Sequence, residues 1–312
     1  MSTLNRGIIA AVLTPVDHVG MINVERYCRH ARWLLRHGCH GLGVFGSTSE
    51  TQSFSVQERQ AALEAYVGAE LPPERMIVGV GCCARTDTMT LARHALDLGI
   101  TKLIALPPFF YKGVSDEGIY RSFAEIVDGI ADERLELYLY HFPQMSGVPI
   151  PHAVIDRLLS MYPSTLKGVK DSSGNWEHTR SLIEGFPSLS IYAGADQLLL
   201  DNLVAGGAGT FSAAANINAP ASREVFDAFF ADKMKDAEEG MKLVRQVRDV
   251  VSGFPPIPSL KYVIADGQKD DVWRVVRPPL VDLDSGSGER LLRDLEAVGF
   301  VYDPDLYSVA SA

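Results

Sequence analysis

The chain has 312 residues, 46% of them hydrophobic, and a formal net charge of -10. That composition is close to the globular average and argues against disorder, collagen and coiled coil. The acidic balance argues against nucleic acid as a partner, because phosphate binding needs a basic footprint. Residues 1–6 lack the apolar core of a signal peptide, and no apolar stretch approaches the roughly 20 residues of a membrane span. Cys28, Cys39, Cys82 and Cys83 form no C-x-x-C pair, and no histidine cluster completes a zinc pattern. Neither a disulfide framework nor a metal is expected, and a cytoplasmic protein follows.

Along the chain, short β-rich apolar runs alternate with segments of helical spacing. Strands are expected at residues 7–16, 38–46, 76–81, 102–107, 135–141, 166–170, 190–194 and 209–213. Helices are expected between them at 24–36, 56–69, 86–98, 116–128, 151–160, 176–184, 197–205 and 221–231. Ser55 followed by Glu58 has capping-box spacing. Ser115 precedes Asp116 and Glu117, acids that suit a helix N-terminus. Pro151 stands where a first helical residue belongs, and Gly38 and Gly99 close their helices. Continuous apolar strands alternating with helices predict a parallel sheet with a covered outer face. Eight such units in about 230 residues predict an α/β fold, a (β/α)8 TIM barrel. The rival, a doubly wound open sheet, wants a Gly-rich phosphate loop after an early strand. The first turn, Thr14-Pro15-Val16-Asp17, has none.

After residue 231 the pattern changes. A charged amphipathic helix is expected at 233–250, then a Pro-rich break at 254–258, helices at 259–265 and 288–298, and a loop at 282–288. The reading is therefore a catalytic barrel over residues 1–231 and a C-terminal helical extension over 232–312, too short to be a catalytic domain of its own.

In such barrels the chemistry sits at the C-terminal ends of the strands. The second strand ends in Gly46-Ser47-Thr48-Ser49-Glu50, where Gly46 permits a tight turn and Ser47 and Thr48 add hydroxyl donors. Adjacent N–H and O–H groups can grip a carboxylate without a cationic side chain, although an ordinary polar loop reads the same way. The fifth strand ends in Tyr140-His141-Phe142-Pro143. Tyr140 can act as a proton donor or acceptor in the barrel mouth, or simply be a core aromatic. Strand alternation turns His141 the other way, towards a supporting role. The sixth strand ends in Gly168-Val169-Lys170-Asp171. A desolvated lysine at the rim of an apolar strand can attack a ketone, the entry to Schiff-base catalysis. Its bland alternative is a pair with Asp171. The seventh strand ends in Gly194-Ala195-Asp196-Gln197: Gly194 would allow close approach of a ligand, and Asp196 and Gln197 are candidate hydroxyl binders, with Asp196 equally readable as a helix cap. On the eighth, Ser212 is a candidate for the substrate's distal end.

In combination these motifs resemble the superfamily of N-acetylneuraminate lyase and dihydrodipicolinate synthase, class I pyruvate-dependent aldolases. The resemblance runs from residue 7 to the segment Pro256-Ile257-Pro258. It implies imine formation between Lys170 and a 2-oxo acid, proton relay by Tyr140, a carboxylate grip by Ser47 and Thr48, and a pyruvate pocket lined by Gly194. It also implies a homotetramer and needs no cofactor beyond the covalent imine. Two departures stand out. Phe110 occupies the place of a relay Tyr that many members supply across a subunit interface, with Tyr111 one residue on. The segment Gln144-Met145-Ser146-Gly147 lacks the Arg that the synthases carry after the fifth-strand Pro. Ser49 also stands where the family usually has Gly. Lys170 with Tyr140 and Ser47-Thr48, together with the missing Arg, favours a retro-aldol lyase that cleaves a 2-oxo-3-deoxy sugar acid to pyruvate and an aldehyde, while Phe110 motivates the first of the alternatives. The alternatives are a dehydratase using the same imine, dihydrodipicolinate synthase itself, and a non-catalytic 2-oxo-acid sensor. The distal contacts, including Tyr111 and Lys112, do not single out one sugar acid.

Overall fold

A computed structural model describes residues 6–300; the extreme N-terminus and the last residues of the expected extension lie outside them. The eight strands are β1 (Gly7–Ala11), β2 (Gly41–Val44), β3 (Met76–Gly79), β4 (Lys102–Ala105), β5 (Glu136–His141), β6 (Leu166–Asp171), β7 (Ser190–Ala193) and β8 (Gly209–Ser212). All pair in parallel, each with the next, and β8 closes on β1, giving the (β/α)8 barrel that the alternation predicts.

Eight α-helices lie among the strands and before β8 closes the barrel: α1 (Val24–Arg36), α2 (Val56–Gly68), α3 (Arg85–Asp97), α4 (Asp116–Ile130), α5 (Pro143–Ser146), α6 (His152–Met161), α7 (Trp176–Gly185) and α8 (Leu199–Val204). Four follow: α9 (Ala215–Phe230), α10 (Met234–Ser252), α11 (Pro256–Gln268) and α12 (Ser285–Ala297). Ser55 and Glu58 form the reciprocal capping box on α2, and Ser115 caps α4. Pro151 is the cap of α6 rather than its first residue, because its ψ of 151° is extended. The single turn α5 escaped the sequence reading; four residues are too few for a period. α9 begins six residues before its expected start at 221. The chain runs helically through Pro220, with a local break at Asn218, whose φ is -114°. The expected loop at 282–288 already contains the start of α12, where the Asp284 side chain accepts from the Ser287 N–H.

Two cores result. Between strands and helices lies a large apolar layer with Ile8, Leu42, Leu103 and Val169. Inside the barrel sit Ile9, Ile77, Ile104, Tyr138, Tyr140, Tyr192 and Phe211. Gly43 makes room for the last of these, since a Cβ there would stand 2.0 Å from the Phe211 ring. Strand register aligns Tyr140 with Lys170 and Lys170 with Tyr192, so all three point inward. Their successors His141 and Asp171 point outward. α10 packs on α9, and no helix among the described residues is long and apolar enough to cross a membrane.

Candidate active site

The inward row opens into a cavity of about 230 Å³ at the C-terminal ends of the strands. Ser47, Thr48, Tyr140, Lys170, Phe211 and Arg248 are among the residues that line it. Lys170 is 4% exposed. Its Nζ lies 4.2 Å from the centroid of the Tyr140 ring and 4.1 Å from that of Phe211. Lys170 makes no ion pair with Asp171: that carboxylate is turned to the helical side of β6. There Oδ1 accepts from the Ser173 N–H at 2.9 Å, and Oδ2 accepts from Thr179 Oγ1 at 2.7 Å and His178 Nδ1 at 3.0 Å. Burial pushes the Asp171 carboxyl up, but these donors outweigh it and its pKa is lowered. The amine is thus held between two π faces at the cavity wall, turned away from the Asp171 carboxylate.

Tyr140 directs its hydroxyl to the second strand's turn, where it accepts from Ser47 Oγ at 3.4 Å. Ser47–Ser49 form one 3-10 turn. The turn chemistry differs from the expectation. Gly46 has an ordinary φ of -82°, while Phe45 and Glu50 carry the positive values, 55° and 58°. Ser49 needs no glycine either; its hydroxyl donates to the carbonyl of Val12 at 2.6 Å. Left-handed backbone at non-glycine residues persists only where surrounding contacts enforce it. Glu50 supplies them: its carboxylate pairs with Lys261 of α11 at 2.5 Å, both side chains fully buried, and accepts from the Arg277 N–H at 2.7 Å.

Behind β5 and β6 lies a histidine group. His141 stacks on His178 at 4.4 Å, and its Nδ1 accepts from the Ile150 N–H at 3.1 Å. Burial lowers His141 to about 4, so it is neutral near pH 7. Potential ligand atoms of His141, Asp171 and His178 lie within 4.8 Å of one another. Within this group His178 Nδ1 is taken up by the Asp171 carboxylate and His141 Nδ1 by the Ile150 N–H.

The other sequence-predicted residues divide. Gly194 lines the cavity, and a Cβ there would stand 2.1 Å from Ser172 Oγ, so the glycine answers to packing between the β6 and β7 loops as well. Ser212 and Asp196 are buried, and Ser212 Oγ donates to Asp196 Oδ1 at 3.1 Å behind the cavity wall. Neither they nor Gln197 are among its lining residues. On β8 it is Phe211, one residue before Ser212, that faces the lumen; the alternation that turns His141 outward turns Ser212 outward too. Phe110 and Tyr111 are both 72% exposed, packed edge to face. Lys112 is tied down by the carbonyls of Phe109 and Ser146. Sequence reasoning missed Arg248 of α10 and the contribution of Pro256 and Ile257, all cavity-lining. The Pro-rich break contained the last two, but it was read only as a boundary.

A closed (β/α)8 barrel with a buried lysine and a tyrosine together in its mouth defines a barrel enzyme of carbonyl chemistry. The chain belongs to the dihydrodipicolinate synthetase family, which it matches over residues 4–298. It is therefore one of the Schiff-base, pyruvate-dependent lyases. It is 39% identical to an uncharacterized DapA-like lyase of Chloroflexus aurantiacus over 258 residues, which cover 82% of this chain and 85% of the relative. The crystal structure of dihydrodipicolinate synthase from Agrobacterium tumefaciens superposes with a TM-score of 0.83 at 27% identity, over 94% of this chain and 99% of that one. A variant of the Sulfolobus solfataricus 2-keto-3-deoxygluconate aldolase shares the fold, with a TM-score of 0.84 at 24% identity over 94% and 96% of the two chains.

Proposed function

We propose that the protein cleaves a 2-oxo-3-deoxy sugar acid to pyruvate and an aldehyde. The observation that carries this reading is Lys170, buried, bracketed by the Tyr140 and Phe211 rings and facing the cavity. The substrate carboxylate sits on Ser47 and Thr48, with no cofactor required. Lys170 Nζ adds to carbon 2, the carbonyl oxygen leaves as water, and a protonated imine remains. Tyr140 takes the proton from the hydroxyl on carbon 4. The bond between carbons 3 and 4 breaks, its electrons pass into the imine to give an enamine, and the aldehyde departs. A proton returned to carbon 3 and hydrolysis of the imine then release pyruvate and Lys170.

Cleavage is favoured over the synthase reaction by the segment after β5. It carries Gln144 in place of the synthases' Arg, and the Gln144 side chain donates to the Ser173 carbonyl rather than standing free for a second substrate. The second reading, loss of water from the same imine, is favoured by Phe110, which cannot relay a proton. The family resemblance further supports a homotetramer, and four free thiols suit a reducing, cytoplasmic setting. The test is borohydride reduction with pyruvate followed by intact-mass measurement. Wild type should gain the reduced pyruvate adduct and Lys170→Ala should not. Against a panel of 2-oxo-3-deoxy acids, a lyase releases pyruvate and a dehydratase does not. Tight binding of pyruvate with no turnover on any of them would leave a sensor instead.

A further inference from the structure

Arg248 enters the cavity from α10, on the side formed by the helical extension. Its Nε is shielded from solvent and has no hydrogen-bond partner. Three residues earlier on the same helix, Arg245 reaches Asp201 at 3.5 Å; among the described residues Arg248 makes no such pair. Arg248 is half-buried, and a shielded guanidinium N–H in a cavity wall with no acceptor of its own is a ready donor for an anionic ligand.

The other charges around the cavity do not answer it. Lys170 is the nucleophile, and the Asp171 carboxylate is committed to Ser173, Thr179 and His178. Asp196 is close enough for the two charges to interact, yet its Oδ2 also lacks a hydrogen-bond partner. Burial raises the Asp196 carboxyl above its ordinary value, and the pull of Arg248 in the opposite direction does not overcome this. A carboxyl that resists ionisation neutralises a neighbouring cation poorly. The site is therefore polarised. Ser47, Thr48 and Lys170 take up one end of a 2-oxo acid, and a planar, fork-shaped cation waits across the cavity.

We propose that Arg248 forms an anion subsite for the far end of the substrate, so that the preferred 2-oxo acid carries a terminal carboxylate or phosphate. The inference rests on the imine reading above and narrows its substrate class from sugar acids in general to doubly anionic ones. Arg248 acts in binding and takes no part in bond breaking.

The experiment compares full-length wild type, Arg248→Gln and Arg248→Lys on three six-carbon 2-oxo-3-deoxy acids. One ends in a hydroxymethyl group, one in a carboxylate and one in a phosphate ester. Wild type should prefer one of the charged acids, and which one identifies the anion. Arg248→Gln should lose roughly 10- to 100-fold in kcat/KM on that acid, mainly through KM, as expected for a hydrogen bond to a charged group. Its loss on the hydroxymethyl acid should be clearly smaller, so that the preference for the charged acid falls, and Arg248→Lys should recover part of that preference. Borohydride trapping of 2-oxoglutarate against 2-oxopentanoate gives a readout free of turnover, with faster trapping of the diacid expected only while Arg248 is present. No adduct from either would sink the imine reading itself. Equal trapping of both, or a loss in Arg248→Gln that is the same for all three substrates and accompanied by a lower Tm, would overturn the subsite and leave that reading standing. The second pattern would make Arg248 a structural partner of Asp196.

Discussion

Lys261 and Glu50 stand 211 positions apart in sequence and form a completely buried ion pair. Lys261 also donates to the Val275 carbonyl at 2.8 Å. Because Glu50 directly follows the Ser47–Ser49 turn, the pair holds the proposed carboxylate grip against α11. Burial lowers the Lys261 pKa even with Glu50 beside it, so the pair does not fully offset the lysine's desolvation. Lys261→Met keeps an unbranched side chain of similar length and strands the Glu50 carboxylate with one backbone donor. Breaking a buried pair from one side costs about 3–5 kcal/mol. With an unfolding entropy of about 2 cal/mol/K per residue, a chain of this length should lose about 5–8 °C in Tm. Adding Glu50→Gln removes the stranded charge, and the double variant should regain most of the loss. Differential scanning fluorimetry of the three proteins measures this, and KM for the 2-oxo acid should rise in the single variant and recover in the double. A Tm within about 2 °C of wild type for Lys261→Met, or a double variant no better than the single, would refute the reasoning.

Two other predictions follow from the same geometry. Tyr140→Phe keeps the ring beside Lys170 and removes the hydroxyl, so pyruvate release should slow by about 10²–10⁴-fold while the borohydride adduct still forms; a kcat within tenfold of wild type would place the relay elsewhere. His30 is fully buried, donates through Nε2 to Asn216 Oδ1 at 3.0 Å, and is lowered by burial to about 4. Between the unfolded value of 6.5 and that folded value, only the unfolded chain takes up the proton, so stability is lost as pH falls. That amounts to about 2–3 kcal/mol between pH 7 and pH 4.5 for this residue. Urea titrations at the two pH values should show a smaller drop for His30→Gln, and an unchanged drop would remove His30 from the acid sensitivity.

The barrel was legible because its information is local. Each β/α unit announces itself by a change of period, and the caps at Ser55 and Ser115 are written within four residues. Lys170 stood out for the same reason, as a charge at the end of an apolar strand. What stayed hidden is non-local. α10 carries many charges on a solvated face, and nothing in its period tells Arg245, which turns to Asp201, from Arg248, which turns to the cavity. Glu50 read as a polar loop residue because its partner is a lysine inside an apolar helix of the extension. The assignment of Ser212 to the distal end was of a different kind. The strand's alternation was available in the sequence, and the inward position belongs to Phe211.

The helical extension is less separable from the barrel than the change of pattern near residue 231 suggests. Leu13 and Ile217 share one buried cluster with Val247, Leu260, Trp273 and Leu291. Trp273 also meets the ring of His30 on α1 edge-on at 5.2 Å, and Arg26 of α1 reaches Asp270 at 2.6 Å. A chain ending at residue 231 would expose Leu13 and Ile217 and strand Glu50 without Lys261. It would also open the cavity where Arg248, Pro256 and Ile257 close it. In the proposed reaction the barrel supplies the imine chemistry through β2, β5 and β6, while the extension holds the β2 turn in place and walls part of the cavity. This division explains how one barrel frame can serve different substrates: residues on α10 and α11 can change the far wall without moving Lys170 or Tyr140 from the strands that align them.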